Sequence, residues 1–190
     1  MRATIVLAAT ALALAGCQSA AEKHAAETGE IDVTNAKTDE VTGLIKAASA
    51  KTAVQPGLWK ATLTIDAVDV GPGADNARQL EIAKGLERDA TECRTAEQLK
   101  PFDIDRLEKA AGECTFIRYV AKGGKVDARI QCSKPNAPVT TIEIAGTTGA
   151  TGFDVTTQNT TGVAGRPGYS LVKMRSTGSR VGECPVQAKG

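Results

Sequence analysis

The sequence contains one histidine and few aromatic residues, and both shortages limit the chemistry that the chain can perform. The histidine, His24, precedes the predicted folded domain, which excludes from that domain a Ser-His-Asp triad, a Cys-His nucleophile and histidine-ligated zinc or haem. One Trp, two Tyr and three Phe are too few for the stacking platforms that bind sugars or single-stranded nucleic acids. A formal charge of +1 without a basic run argues against a nucleic-acid partner.

The chain also lacks an apolar run of the roughly 18–20 residues that would span a bilayer. Its longest apolar run, residues 3–15, follows the basic Arg2 and has the length of the apolar region of a signal peptide. We therefore assign residues 1–16 to a signal peptide that is removed from the mature protein.

The end of this signal, Leu14-Ala15-Gly16-Cys17, resembles the lipobox of bacterial lipoproteins. The resemblance implies that Cys17 is lipidated on its thiol, becomes the mature N-terminus and is acylated on its amine. Acyl chains contribute about 0.8 kcal/mol per buried methylene, so several of them attach a protein stably to a membrane. Because no Asp follows the cysteine, the resemblance also implies the periplasmic side of a Gram-negative outer membrane. The alternative is an ordinary secretory signal with an unpaired cysteine near the cleavage site.

Residues 17–54 are rich in Ala, Glu, Lys and Thr and contain no aromatic residue. Such a composition buries too little apolar surface to offset the entropy of ordering, so we expect a flexible tether. A coil of this length has a mean reach of about 30–36 Å. Four apolar residues nevertheless follow a helical spacing that would allow a transient or docked helix: Val41, Leu44, Ile45 and Ala48.

Residues 55–190 are expected to form one β-rich domain, because short alternating apolar segments are separated by turns rich in Gly, Thr and Pro. The clearest alternation starts at Trp59, which we place in the core. The predicted fold is mainly β with a minor α content, an antiparallel meander that forms a small barrel or sandwich. Strands are predicted at 59–67, 114–120, 126–132, 139–145, 153–158 and 169–175, with helices at 77–90 and 103–110.

The segment 112–132 predicts a hairpin that sets Cys114 opposite Cys132 when the chain is folded about Gly123. The same register pairs Phe116 with Ile130, Arg118 with Ala128, and Val120 with Val126. With Cys17 lipidated, four cysteines remain in an oxidising compartment, where disulfides persist. The hairpin favours the pair Cys114–Cys132 and leaves Cys93–Cys184. A four-cysteine zinc site is disfavoured, because no close C-x-x-C pair is present.

Three short motifs resemble the bacterial family known as domain of unknown function 3617, whose members are small exported proteins. They are Pro56-Gly57-Leu58-Trp59, Cys93-Arg94-Thr95-Ala96-Glu97 and Gly182-Glu183-Cys184. The resemblance covers about residues 55–186, and Arg94 departs from the apolar residue common at that position. Because the family has no settled function, the resemblance implies a class and a location without a mechanism.

Carboxylates are the remaining acid–base candidates in the sequence. Asp103, Asp105 and Glu108 suggest a cation site, but they lack the spacing of a calcium loop, which favours a surface helix with Asp103 as its N-cap. Glu143 and Asp154 lie on neighbouring predicted strands and would form a catalytic pair only if a cleft brought them together. The glycines at 162, 165 and 168 follow no phosphate-binding pattern and are interpreted as loop residues.

Two hypotheses follow from these observations. The favoured one is a non-catalytic envelope lipoprotein, attached to the membrane through lipid on Cys17, that binds an envelope protein or an apolar ligand. The alternative is an envelope hydrolase that uses carboxylates. Neither hypothesis requires a cofactor or a metal. A concave apolar pocket would favour a ligand, a flat apolar patch a protein partner, and two carboxylates roughly 5–9 Å apart an enzyme.

Overall fold

The computed structural model describes residues 19–95, 98 and 104–185, without the side chains of 104–106. The lipidation candidate Cys17 lies outside the described residues. In chain order, the described elements are α1 (Ala20–Thr28), β1 (Ile31–Lys37), α2 (Thr38–Thr52), β2 (Gly57–Asp69), α3 (Asn76–Lys84), β3 (Arg88–Arg94), α4 (Ile104–Ala111), β4 (Glu113–Lys122), β5 (Lys125–Ser133), β6 (Thr140–Thr148), β7 (Gly152–Thr161) and β8 (Ser170–Gly182).

The eight described strands form one antiparallel sheet in the order β1-β4-β5-β6-β7-β8-β2-β3. The predicted mainly β fold and its meander are confirmed, because β4 to β8 are neighbours both in the chain and in the sheet. The sheet does not close, so within the described residues β1 and β3 remain its two edges, in place of the expected barrel or sandwich. The similar segments TTGATG and TTGVAG begin the turns that follow β6 and β7.

Both predicted disulfides are present, Cys93–Cys184 and Cys114–Cys132. The Cys114–Cys132 pair is buried inside the β4–β5 hairpin, and its Cα atoms lie 4.1 Å apart. The Cys93–Cys184 pair is exposed and joins the end of β3 to the chain just after β8. The two bridges therefore staple different halves of the sheet.

The expectation of a flexible tether over 17–54 is wrong for its described residues. Helix α1, strand β1 and helix α2 occupy most of them, and β1 pairs with β4 along the edge of the sheet. Six apolar side chains from this segment are at most 4% exposed and belong to the main core: Ala25, Ile31, Ala36, Val41, Leu44 and Ala48. The physical reason is that small residues at helical spacing pack closely onto a sheet, so burial does not require large side chains.

Local signals in the sequence also favour this N-terminal segment. The Ser19 hydroxyl accepts a hydrogen bond from the Glu22 backbone (3.1 Å), and the Glu22 carboxylate accepts one from the Ser19 backbone (2.8 Å), which forms a capping box. Gly29 ends α1 in the left-handed conformation that glycine adopts without strain. At the start of α2, the Thr38 hydroxyl donates to the Cys114 carbonyl (3.0 Å), which fixes the helix to β4.

The hairpin register is confirmed only in its first half. Cys114 pairs with Cys132 and Phe116 with Ile130, but an irregularity after Phe116 shifts the pairing by one residue. Gly123 and Gly124 both have positive φ and form a two-residue turn, so Lys122 must pair with Lys125.

The corrected register changes which side chains of β4 face the core. The predicted pairs Arg118/Ala128 and Val120/Val126 are wrong, because Tyr119 pairs with Ala128. Tyr119 is 5% exposed and contacts Phe116 edge-on, whereas Arg118 is exposed on the opposite side.

The predicted helix at 77–90 is only half correct. Helix α3 ends at Lys84, where Gly85 provides the C-cap, and residues 88–94 form β3 beside β2. Helix α4 lies where a helix was predicted, although its proposed N-cap, Asp103, is outside the described residues. In the described part of the chain, no helix has both the length and the apolar character needed to cross a membrane.

Candidate functional site

The sheet has one apolar face, which the strand register allows us to follow from edge to edge. Residues paired directly across adjacent antiparallel strands point to the same side of a sheet. One such row is Val68, Val172, Asn159, Ile142, Ile130, Phe116 and Ala36. A neighbouring row is Ile65, Met174, Thr157, Ile144, Ala128 and Tyr119. The apolar face therefore spans almost the whole width of the sheet.

Among the described elements, helices cover one half of this face. Helices α1, α2 and α4 pack against β1, β4 and β5, and there the inward side chains are buried. Helix α3 packs beside β2. On β7, by contrast, every residue is only half-buried. The covered half is the hydrophobic core, and the other half is less completely buried although its side chains are of the same kind.

Five half-buried apolar side chains mark the less covered half, which we call the open apolar face. They are Leu63, Phe153, Val155, Val172 and Met174. Two of their neighbours on the same side, Trp59 and Ile65, are buried. The Trp59 and Phe153 rings are stacked with centroids 6.1 Å apart, and the Trp59 indole donates to the Gln55 carbonyl (3.0 Å). Trp59 is thus a core residue, as predicted.

The opposite face of the sheet is polar and holds an open cavity of about 560 Å³. Ion pairs cross neighbouring strands in its lining, joining Arg118 to Asp127 (3.3 Å) and Arg129 to Glu143 (3.8 Å). The Gln158 amide also donates to Glu143 (3.2 Å), and Lys173 completes the polar lining. Among the described residues no charged side chain is buried, so water reaches all of these groups.

The carboxylates Glu143 and Asp154 lie on the polar face but are not brought together. Glu143 pairs with Gln158, and Asp154 lies four residues earlier on β7, so about 13 Å of strand separates them. That distance exceeds the roughly 5–9.5 Å between the two carboxylates of glycosidases. The Arg175 guanidinium donates two hydrogen bonds to Asp154, at 2.8 and 2.5 Å, and thereby lowers the pKa of Asp154.

The remaining candidate site residues from the sequence can also be compared with the structure. Asp103 and the Asp105 side chain lie outside the described residues, and the described part of the chain contains no group of acidic, His or Cys side chains that could hold a metal. Glycines 162, 165 and 168 have positive φ in the loop between β7 and β8, as expected of loop residues. His24 is exposed on α1 and borders a second cavity, of about 370 Å³.

The three motifs that carry the family resemblance meet at one end of the sheet. Leu58 pairs with Cys93 on one side and with Gly182 on the other. The Arg180 guanidinium donates to the Pro56 carbonyl (2.8 Å) and contacts the position where Gly57 would carry a Cβ. Any larger residue at Gly57 would displace this arginine. The three motifs therefore hold β2 in contact with β3 on one side and with β8 on the other. Their role in the described residues is structural.

Sequence reasoning did not identify the open apolar face. The alternation that starts at Trp59 predicts one apolar side for the strand, but nothing in it says which apolar faces a helix covers. On β7, Phe153 and Val155 alternate with Asp154 and Thr156, and this pattern places the first two on the apolar side. One signal in the sequence does point to this face. The predicted helices are too few and too short to cover all of the predicted alternating strands.

Comparison with known proteins identifies a family. A family model described as "Protein of unknown function (DUF3617)" matches residues 54–184. No curated protein and no solved structure shows a significant match to the chain. The matched region begins after α2, so α1, β1 and α2 lie outside it.

Proposed function

The chain belongs to the DUF3617 family of proteins of unknown function, and we propose that this member is a non-catalytic binding module of the bacterial envelope. Lipid on Cys17 attaches it to the outer membrane on the periplasmic side. Its open apolar face binds an apolar surface of an envelope protein. The lipobox Leu14-Ala15-Gly16-Cys17 supports the attachment, and the sheet supports the binding role.

The binding role depends on one observation: the apolar face of the sheet is wider than the part of it that the described helices cover. Phe153, Val172 and Met174 are apolar and half-buried, while the equivalent side chains on β5 lie beneath the helical half of the core. An apolar area that a folded monomer leaves accessible commonly marks an interaction site. Phe153 adds an aromatic side chain to this face, and aromatic residues are enriched at protein interfaces.

A protein partner is favoured over a small ligand by the shape of this face. Ligand sites are usually concave and enclose most of the ligand surface. The open apolar face spans three adjacent strands, β7, β8 and β2, whose outer members lie about 10 Å apart. The two cavities described above are bordered by charged residues instead, Arg118 and Glu143 in one and Glu30 and Lys122 in the other.

Carboxylate catalysis is less well supported. A general acid or base gains its tuned pKa from burial or from a close like charge. Glu143 and Asp154 are exposed to solvent to a substantial degree, each is paired with an arginine, and about four residues of strand separate them. Their arrangement is that of ion pairs on the solvent side of a sheet.

Site-specific photo-crosslinking in cells tests the binding role. The photoreactive amino acid p-benzoylphenylalanine is placed at Val155 or Met174 on the open apolar face, and in matched controls at Thr156 or Lys173 on the polar face of the same strands. We expect a discrete protein adduct from the first pair of positions and none from the second pair. Adducts from Thr156 and Lys173 alone would contradict the proposal, and a low-mass adduct at Val155 would assign the face to a small apolar ligand instead.

Membrane fractionation tests the attachment. The native chain should sediment with the outer membrane and require detergent for release, whereas a variant in which an ordinary secretory signal replaces residues 1–16 and serine replaces Cys17 should be soluble in the periplasm. Cys17 is a clean target, because the other four of the five cysteines form the two disulfides. Equal membrane association of both chains would contradict lipid attachment.

A further inference from the structure

The first turn of α1 lies at a definite end of the sheet. Strand β1 runs from Ile31, opposite Ala121, to Lys37, opposite Thr115, and α2 begins immediately after it. Helices α1 and α2 run parallel, because a Cβ on Gly43 would lie 3.2 Å from Glu22 and one on Gly29 would lie 2.8 Å from Lys51. The chain therefore enters α1 near the end of the sheet where β1 stops and α2 starts.

Exposed valines gather at this same end. Val70 follows β2 and is 37% exposed, Val139 precedes β6 and is 49% exposed, and Val163 follows β7 and is 68% exposed. The register places these points together, since Thr140 pairs with Thr161 and Leu171 pairs with Asp69. We call this region, made of residues 19–23, 70–75, 134–139 and 162–169, the anchor end.

Contacts between its loops make the anchor end one surface. The Gly162 backbone donates to the Val139 carbonyl (3.0 Å), which joins the loop before β6 to the loop after β7. Tyr169 approaches to 3.8 Å of the position where Gly71 would carry a Cβ, which brings in the loop after β2. Three apolar loops thus face the same direction as the point where the chain enters α1.

The charge of these loops suits an anionic surface. Over its four segments the anchor end carries three basic residues, Lys23, Lys134 and Arg166, and two acidic ones, Glu22 and Asp75, and both acidic residues precede the segments 134–139 and 162–169. The Lys134 ammonium donates to the Ala110 carbonyl at the end of α4 (2.7 Å), and Arg166 is exposed. On the loop after β2, the Asp75 carboxylate accepts from the Arg78 backbone and caps α3. Apolar side chains beside cations are the composition of surfaces that lie in a lipid headgroup layer.

The attachment point for lipid lies close to this surface. Cys17 precedes Ser19 by two residues, and an extended chain covers at most about 3.6 Å per residue, so about 7 Å separates the two Cα atoms at most. A tether over 17–54 would have held the domain tens of ångströms from the membrane, but the described fold begins at Ser19. Lipidated Cys17 therefore brings the anchor end to the bilayer surface.

We propose that the anchor end is a membrane-binding surface, on which Val139 and Val163 enter the headgroup region and Arg166 meets lipid phosphates. This inference rests on the proposed lipidation of Cys17 and adds the orientation of the domain. The open apolar face extends across the sheet from this end, so the orientation leaves it directed along the bilayer surface, where a membrane-associated partner could reach it.

Tryptophan quenching by brominated lipid tests the orientation. The acylated protein carrying Val163→Trp is reconstituted into vesicles of phosphatidylethanolamine with a minor fraction of phosphatidylglycerol, with and without brominated acyl chains. The matched control is Val181→Trp, because Val181 is 53% exposed and lies near the opposite end of β8. The native Trp59 is buried and serves as a constant background that the parent protein measures.

We expect brominated lipid to quench and blue-shift the emission of the Val163→Trp protein and to leave the Val181→Trp protein like the parent. Adding Arg166→Glu should weaken the quenching at position 163. Equal quenching at both positions, quenching at 181 alone, or no quenching at 163 would overturn the proposal. Circular dichroism and intact disulfides confirm that each variant is folded.

Attaching the protein to lipid by a chemical coupling, rather than by natural acylation, allows the orientation to be tested separately from the proposed lipidation. The mature chain has one thiol outside the disulfides, on Cys17, which couples to a maleimide lipid in the same vesicles. If native Cys17 proves not to be acylated but the coupled protein shows quenching at 163, the proposed attachment fails while the orientation of an anchored domain stands. If Cys17 is acylated and neither form shows quenching at 163, the orientation fails by itself.

Discussion

The replacement of Leu44 by alanine tests whether the N-terminal segment is part of the folded domain. Leu44 lies in α2, is 2% exposed and belongs to the main hydrophobic core together with residues of β4 and β5. A Leu→Ala change at a buried position removes the transfer free energy of the side chain and leaves a cavity, which together cost about 2–5 kcal/mol. Had residues 17–54 been a tether, the same change would cost almost nothing.

The magnitude makes the result easy to measure. A loss of about 3 kcal/mol is a large fraction of the 5–15 kcal/mol that stabilises a typical domain. With a urea slope of about 2 kcal/mol per M, the unfolding midpoint should fall by about 1.5 M. The matched control is Lys46→Ala, two residues further along the same helix and exposed, for which we expect a change within about 0.5 kcal/mol.

The assay is urea denaturation of the mature Cys17→Ser chain, with both disulfides intact, followed by the fluorescence of Trp59. That residue lies on β2, and five strands separate β2 from β1 in the sheet order, so its signal reports unfolding of the sheet as a whole. If Leu44→Ala and Lys46→Ala both unfolded at the midpoint of the parent, the N-terminal segment would not belong to the cooperative unit, and the corrected domain boundary would be refuted.

Three further predictions follow from the core and the polar face. Replacing Cys114 and Cys132 together by alanine should lower the free energy of unfolding by about 3 kcal/mol, because the bridge restricts the unfolded chain between two residues that lie 18 positions apart; an unchanged urea midpoint would contradict this. Burial raises the pKa of Tyr119 to about 12, above its ordinary value of 10.0, so stability that is fully present below pH 10 should be lost as the pH rises towards 12. Thermal denaturation of Tyr119→Phe should show less of this loss, and an identical alkaline slope would exclude Tyr119 as its cause. The hydrogen bonds from Arg175 lower the pKa of Asp154 below its ordinary 3.8, so their stabilising effect is present above that pH and disappears as the pH falls through the lowered value. Asp154→Asn should therefore be less acid-sensitive than the parent below about pH 4, whereas equal acid sensitivity would argue against the ion pair.

Much of the sheet was predictable because period-two alternation and turn glycines are local signals. The hairpin containing Cys114 and Cys132 shows both the strength and the limit of such signals. The cysteines set the pairing at one end of the hairpin, and the two-glycine turn sets it at the other. These two registers differ by one residue, and the irregularity after Phe116 accommodates the difference. A register counted from one end could not show it, and Tyr119 rather than Arg118 therefore entered the core.

The N-terminal segment was mispredicted because its burial depends on partners far away in the chain. Ala25, Ala36 and Ala48 carry little apolar surface by themselves, and they become core residues only because β4 and β5 supply a flat surface to pack against. The capping signal of Ser19 and Glu22 and the terminal Gly29 were visible in the sequence. Composition alone predicts a tether, because it does not show that a distant surface is present for these small residues to pack against.

The open apolar face could not be predicted, because alternation specifies two faces of a strand without specifying what covers either one. Val155 and Ile130 are each flanked by polar residues and each follow an apolar residue two positions earlier. Only the order of strands in the sheet, with β1 added beside β4, places Ile130 beneath the helices and leaves Val155 half-buried. The functional proposal therefore depends on topology rather than on any motif.

The central claim, a lipid-attached envelope protein whose fold starts two residues after the attachment point, is tested most directly at its N-terminus. The protein is extracted from membranes and digested with trypsin, and the N-terminal peptide is analysed by mass spectrometry. We expect a peptide that begins at Cys17, ends at Lys23 and carries the mass of a diacylglyceryl group and an amide-linked acyl chain. An unmodified peptide beginning at Cys17, or a longer one that retains residues before it, would contradict the account.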